Sequence, residues 1–378
     1  MTFVLTEEQN MLKDAATDFA RDQLSLTHFR KLRDAGANGK DPESWTAMAE
    51  MGWAGVLVPE DFGGSDFGYV GLGQVLEAQG RTLAATPLLQ TALVGASALT
   101  LGGSDVQKET VLPKIAEGTI KTALAVDEKP HHAPLKTAMS AVADGGGYKL
   151  NGKKVFVASG HVADLFIVAA RTSGKPGDTN GITLFMVPAE TPGLTVTEVE
   201  TLDYHGAANL EFADVVVPAA DVLGEVDKGW PLLESILDRA CIGLACEMLG
   251  LASAAFEMTH EYLQTRKQFG QLIGSFQSLQ HRAAIMFSEL EQTRSAVAAA
   301  LSSLDAGKDD VSLMASLAKA RAASTVHLVT NETIQMHGGI GMTDAHDSGF
   351  YIKRARVQEA LYGGEGYHVE RFATLMGF

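Results

Sequence analysis

The chain has 378 residues, 46% of them hydrophobic, enough for two or three domains with well-packed cores. Thirty basic against 46 acidic residues leave a formal net charge of −16, which argues against nucleic acid or an anionic membrane surface as the main partner; an anionic ligand would need a local basic pocket. Cys241 and Cys246 lie five apart in one helical pattern and fit neither a metal pair nor a stable disulfide, so two buried thiols are expected. The N-terminal M-T-F-V-L-T-E-E-Q has no basic region leading an apolar core, and no uninterrupted apolar run reaches the roughly 20 residues that span a bilayer. The default expectation is a cytoplasmic chain with no membrane partner.

In chain order, Thr6 followed by glutamates, with Met11, Leu12, Ala15, Phe19 and Ala20 at helical spacing, predicts an N-capped amphipathic helix. A second helix runs through Trp45, Met48, Ala49 and Met51 and stops near Gly52. The stretch V-P-E-D-F-G-G-S-D-F-G is too rich in Pro and Gly for regular structure, and its Gly63-Gly64 pair is a turn before it is a phosphate loop. Helices over Gly71–Gln79, Leu88–Leu101 and Ser104–Ala116 complete an all-helical domain, residues 1–121, in which nothing clusters reactive groups.

From residue 122 to 223 the period changes to two. Short β-branched segments at 148–157, 163–170, 182–188 and 210–217, separated by Gly, Asn, Asp or Pro clusters, predict an antiparallel sheet or barrel. Asn151-Gly152 is a hairpin signal, and 172–181, T-S-G-K-P-G-D-T-N-G, is an exposed loop. His131 and His132 are adjacent in a loop with no matching ligand set, so solvated histidines are expected and no metal.

Residues 224–378 carry long helical patterns at about 230–266, 276–304, 309–337 and 346–374, joined by short connections, which predicts an up-and-down bundle of four helices. The joint T-R-K-Q-F-G-Q-L-I-G-S-F-Q-S-L-Q-H-R, residues 265–282, has two readings. Arg266 and Lys267 can complement a helix C-terminus with Gly270 at C′. Alternatively, Arg266 makes a two-pronged phosphate contact, Phe269 stacks on a flat ring and Gln277 offers an amide. Further on, in I-Q-M-H-G-G-I-G-M-T, Gly338, Gly339 and Gly341 let backbone amides approach an anion, and Gln335 adds a polar contact.

R-K-Q-F-G followed by F-Q-S-L-Q-H resembles the signature of the acyl-CoA dehydrogenases. W-x-x-M-A-E-M-G-W-A-G-V-L-V-P-E-D-F-G-G is similar to that family's N-terminal domain, and Leu112-Pro113 through Gly118 to its closing helix. The resemblance implies an α+β protein of three parts: an N-terminal all-helical domain (1–121), a central antiparallel β domain (122–223) and a C-terminal helical bundle (224–378). It implies FAD as cofactor, with Arg266, Phe269 and Gln277 reaching the FAD of a neighbouring subunit and Gln335, Gly338 and Gly339 helping to hold the dinucleotide, hence a homodimer or tetramer. Where the family reads W-I-T-N-G against the flavin, this chain has Phe156-Val157-Ala158-Ser159-Gly160: Phe156 keeps an aromatic, Ala158 replaces the threonine at the N5 edge, and Ser159 substitutes if the register slips. Of the family's V-T-E-P and A-G-S-D only the Glu128 region survives, and Ala345 departs from its usual acidic residue.

The activity implied is oxidation of an acyl-CoA thioester to the 2,3-enoyl-CoA, by α-proton abstraction and hydride transfer to flavin N5, with an electron-transferring flavoprotein as next carrier. Two candidates stand for the base. Glu365 follows Tyr362 where the family has Y-E-G-T: ungapped alignment from Arg371 puts Gly364 at the base, a one-residue shift puts Glu365 there, and a solvated glycine-rich turn is its other reading. Other members carry the base near the position of Ala240, beside an arginine replaced here by Cys241. Glu247, two turns on, is the second candidate, or else a glutamate paired inside the bundle. The lost ring-contact residues also suit a catalytically silent subunit of a heteromeric dehydrogenase, and the same fold serves flavin oxidases and monooxygenases.

Overall fold

The computed structural model describes residues 4–378; Met1–Phe3, which begin the N-terminal stretch discussed above, lie outside the described residues. The first helices are α1 (Glu7–Gln23), α2 (Leu26–Asp34), α3 (Pro42–Glu50) and α4 (Gly68–Thr82), followed by α5 (Ala96–Gly102) and α6 (Asp105–Ala116). Thr6 and Gln9 close a capping box on α1, and Ser104 with Gln107 does the same for α6. The helix expected over Leu88–Leu101 is instead a π-helical segment, Leu89–Gly95, leading into α5. The Gln90 carbonyl accepts from Thr122 Oγ1 at 2.8 Å, and the Thr91 hydroxyl accepts from the Thr122 N–H at 3.1 Å, so a strand residue is bonded to the widened turn.

The central segment forms one sheet of eight strands: β1 (Thr122–Ala125), β2 (Ser140–Asp144), β3 (Gly147–Ala158), β4 (Leu165–Arg171), β5 (Ile182–Pro188), β6 (Leu194–Val199), β7 (Ala207–Pro218) and β8 (Val222–Leu223). Their order is β6-β7-β3-β2-β4-β5-β8, with β1 also on β4. Most pairings are antiparallel, but β1–β4 and β2–β4 are parallel, so the sheet is mixed. Leu150, Phe166, Phe185, Leu210 and Val215 fill its core. Asn151-Gly152 is not a hairpin turn: it lies inside β3, at a register shift opposite β7. There the Asn151 amide exchanges hydrogen bonds with Asp214, donating to Oδ1 at 3.1 Å and accepting from its N–H at 2.9 Å, which replaces the interrupted ladder bonds.

The last segment holds α7 (Trp230–Thr265), the hairpin strands β9 (Lys267–Gln268) and β10 (Gln271–Leu272), then α8 (Gln277–Asp305), α9 (Val311–His337), α10 (Ser348–Ala360) and α11 (Glu365–Leu375). The single helix expected over 346–374 is thus two, interrupted at Leu361–Gly364. By length and composition alone α7 could cross a membrane, but 78% of its apolar window is buried inside the protein, as in the core helix of a bundle. Both cysteines are buried thiols, neither in a disulfide.

Two compact units result. One contains the chain up to Lys31, Tyr69–Ala84 and Cys241–Phe378; the other contains Leu32–Gly68 and Ala85–Ala240.

Candidate cofactor and active site

In the first unit, the R-K-Q-F-G joint is a β-hairpin rather than a helix cap. α7 stops at Thr265, Lys267 pairs with Leu272 and Gln268 with Gln271, and the two-residue turn is Phe269-Gly270 at φ +54° and +81°. Positive φ at both central residues is what a tight two-residue hairpin with the right-handed strand twist requires. Glycine adopts it freely; a phenylalanine there is strained. Phe269 is 91% exposed and meets Phe276 edge-on, ring centroids 6.1 Å apart. Arg266 is exposed with its backbone fixed on both sides, its N–H bonded to Tyr262 O and its carbonyl to Ile273 N–H, both at 2.9 Å. Gln277, the first residue of α8, is exposed as well.

The glycine turn lies beside this joint, although 70 residues separate them in sequence. The Tyr262 ring stacks on His337 with centroids 4.4 Å apart, and His337 in turn meets His346 at 4.3 Å. Gly338 follows at φ +61°, ψ −136°, a conformation essentially reserved for glycine. A Cβ built on Gly338 or Gly339 would meet nothing within 4 Å, and Gln335 is exposed. One cation, one bare aromatic ring, two amides of side chains and an uncovered glycine backbone therefore occupy neighbouring surface segments, a set that fits the phosphates and adenine of a dinucleotide.

In the second unit, β3 is interrupted by a register shift between Lys154 and Val157, and Phe156 sits at the bulge with φ +52° and 40% exposure, its N–H donating to Asn209 Oδ1 at 3.0 Å. Ser159, half-buried, also has positive φ, +55°. Two strained non-glycine residues three apart, at a bulge that re-aims side chains, fit a ligand-facing segment. Glu128 is engaged elsewhere: its carboxylate accepts from the N–H groups of Ala138 and Met139 and pairs with the fully buried Lys154 at 2.9 Å. His131 is exposed as expected, but the His132 side chain is buried and bonded to Asp127 at 2.8 Å.

The two carboxylates proposed from sequence have different surroundings. Glu365 is the first residue of α11 and is exposed. Glu247 is buried in the bundle, where it accepts from Arg354 Nη2 at 2.9 Å and Gln358 Nε2 at 3.0 Å, the paired-glutamate alternative. Sequence reading overlooked Tyr262 and His337, which join the two dinucleotide segments, and Lys319, a fully buried cation in α9. The signal for Lys319 was available: one charge in the otherwise small and apolar run A-S-L-A-K-A.

Matches to known proteins cover nearly the whole chain. The acyl-CoA dehydrogenase N-terminal, middle and C-terminal domains match residues 6–119, 128–215 and 227–376. A probable acyl-CoA dehydrogenase of Bacillus subtilis, YngJ, is 32% identical over 97% of this chain and 96% of that protein. The chain belongs to the acyl-CoA dehydrogenase family. It is an oxidoreductase of acyl-CoA, and FAD is the cofactor of this family. Butyryl-CoA dehydrogenase from Megasphaera elsdenii shares its fold with a TM-score of 0.92 at 28% identity, covering all of both chains. A chain of the ChsE4–ChsE5 complex from Mycobacterium tuberculosis superposes with a TM-score of 0.89 at 27% identity, again over all of both chains.

Proposed function

We propose that the chain oxidises an acyl-CoA thioester to the 2,3-enoyl-CoA with FAD, contributing Arg266, Phe269, Gln277, Gln335 and the amides of Gly338 and Gly339 to a dinucleotide site, and Phe156 and Ser159 to a flavin-ring site. The observation that carries this reading is the exposure of every one of the dinucleotide residues, with a strained Phe269 left 91% exposed. Such a surface suits a cofactor shared with a second chain, and so a dimer or a dimer of dimers. Glu365 is the base: its carboxylate takes the proton from the carbon next to the thioester, and bound substrate supplies the burial and hydrogen bonding that a carboxylate needs for this step. FAD, when bound, supplies the acceptor for the hydride from the adjacent carbon. An electron-transferring flavoprotein takes the electrons onward.

Anaerobic mixing with a panel of acyl-CoAs tests the assignment through loss of oxidised-flavin absorbance. Glu365→Gln keeps the shape but takes no proton, and is expected to slow that loss by about 10²–10⁴-fold with FAD retained. A wild-type rate in Glu365→Gln moves the role elsewhere, with Glu247→Gln as the parallel variant.

A second reading is that the chain supplies part of the FAD site to a heteromeric dehydrogenase. It is favoured by Ala158 at the flavin edge, by Glu128 being consumed within its own sheet, and by the likeness to a chain of a two-component complex. Retention of FAD only after co-expression with a second family member would select it.

A further inference from the structure

The interruption between α10 and α11 is built around a buried cation. Lys319 Nζ donates to Gln358 O at 3.1 Å, Glu359 O at 3.1 Å and Gly363 O at 3.0 Å, and the residue is wholly inaccessible. Gln358 and Glu359 belong to the last turn of α10, whose carbonyls have no acceptor role left within the helix. An ammonium has three donors, and here all three are spent on carbonyls. A cation at this place also meets the negative end of the α10 dipole.

The next carbonyl is held from the other side. His368, 1% exposed in α11, has Nε2 3.0 Å from Tyr362 O, and Cys241 Sγ of α7 is 3.8 Å from the same oxygen. Between these anchored carbonyls the chain turns through Tyr362 at φ +58° and Gly363 at φ +100°. Position 363 takes only glycine without a shift: its φ is positive, and a Cβ there would lie 2.5 Å from Tyr367 Cδ1. Gly364 then opens α11, and Glu365 is its first residue.

We propose that Lys319, with His368, is a positioning residue for the reaction: together they hold Tyr362–Gly364 in one conformation and so fix where Glu365 presents its carboxylate. The proposal rests on Glu365 being the base. Apolar packing alone would serve stability as well as a buried charge does; what the ammonium adds is direction, since one nitrogen ties two carbonyls of the last turn of α10 to the Gly363 carbonyl of the turn that follows. Burial pushes the Lys319 pKa down to about 8, so the ammonium persists at neutral pH.

The test is Lys319→Met in the FAD-loaded protein, which keeps the stem and removes the donors. Two readouts are needed: hydrogen exchange of the peptide covering 358–368, and the rate of flavin reduction by an acyl-CoA. Exchange there is expected to quicken by about ten-fold or more, with α8 and the sheet unchanged. The reduction rate is expected to fall by about 10–100-fold, with KM within about two-fold. His368→Gln, which retains one donor, is expected to show the same pattern more weakly, and it replaces Lys319→Met if that variant does not fold. Unchanged exchange at 358–368, or a changed KM with an unchanged rate, overturns the proposal. If exchange quickens but Glu365→Gln reduces flavin at the wild-type rate, Lys319 is a structural clamp only and the assignment of Glu365 fails. If Glu365→Gln is inactive while Lys319→Met matches wild type, Glu365 stands and Lys319 does not.

Discussion

Phe269 and Tyr362 have the same unusual backbone, φ +54° and +58°, each just before a glycine, and they are held in opposite ways. Tyr362 is 5% exposed, and the carbonyls around it are taken by His368 and Lys319. Phe269 is 91% exposed on a hairpin of two residue pairs. A non-glycine residue in this region costs on the order of 1–3 kcal/mol, which the surroundings must offset. At Tyr362 the offset lies within the same unit of the chain. At Phe269 almost none of it does, so the hairpin is a surface prepared for something else to cover, whereas the interruption before α11 is internal framework.

The two turns should differ most in what they contribute to stability. Tyr362→Ala is expected to cost about 3 kcal/mol in denaturant unfolding, because it empties a packed site. Phe269→Ala should change the same quantity by less than about 0.5 kcal/mol while weakening FAD retention several-fold. Equal destabilisation by the two would show that the hairpin is framework too. Next in size is Arg266→Ala, expected to lower FAD affinity by about 10–100-fold through the loss of a charge-assisted contact. Its melting temperature without FAD should match wild type; a lower one would make Arg266 a helix-end residue first.

The smallest effect concerns the stack beneath the glycine turn. Burial lowers the pKa of His337, which donates from Nδ1 to Thr333 O and has His346 against it, and burial likewise lowers that of His346, beside Asp347. Groups held below their unfolded value contribute stability that is complete above about pH 6.5 and is lost as pH falls through the folded values. Thermal unfolding should therefore drop by a few degrees between neutral and mildly acidic pH, and the drop should shrink in the double variant His337→Gln, His346→Gln. An undiminished drop would assign the sensitivity to other groups, His161 among them, whose pKa burial also lowers.

Segment type was legible in sequence wherever the pattern is local. The capping box at Thr6, the helical periods of α7, α8 and α9, and the β-branched runs of β4 and β5 state their structure within one or two turns of chain. Arg266, Phe269 and the glycines stood out through the resemblance of R-K-Q-F-G and I-Q-M-H-G-G to family motifs, since local pattern alone left the joint open to a helix-end reading. Features that depend on a distant partner were settled by packing instead. Asn151-Gly152 reads as a turn until Asp214 crosses from β7 to complete a bulge. The segment 346–374 reads as one helix until Lys319, more than 25 residues away in the chain, takes the carbonyls at its interruption. Glu247 reads either as a base or as a paired glutamate until Arg354 and Gln358 of α10 decide for the pair. A period in sequence records which face of an element is apolar, whereas the partner of a buried polar group depends on how the chain returns to it, and that is fixed only when the whole unit packs.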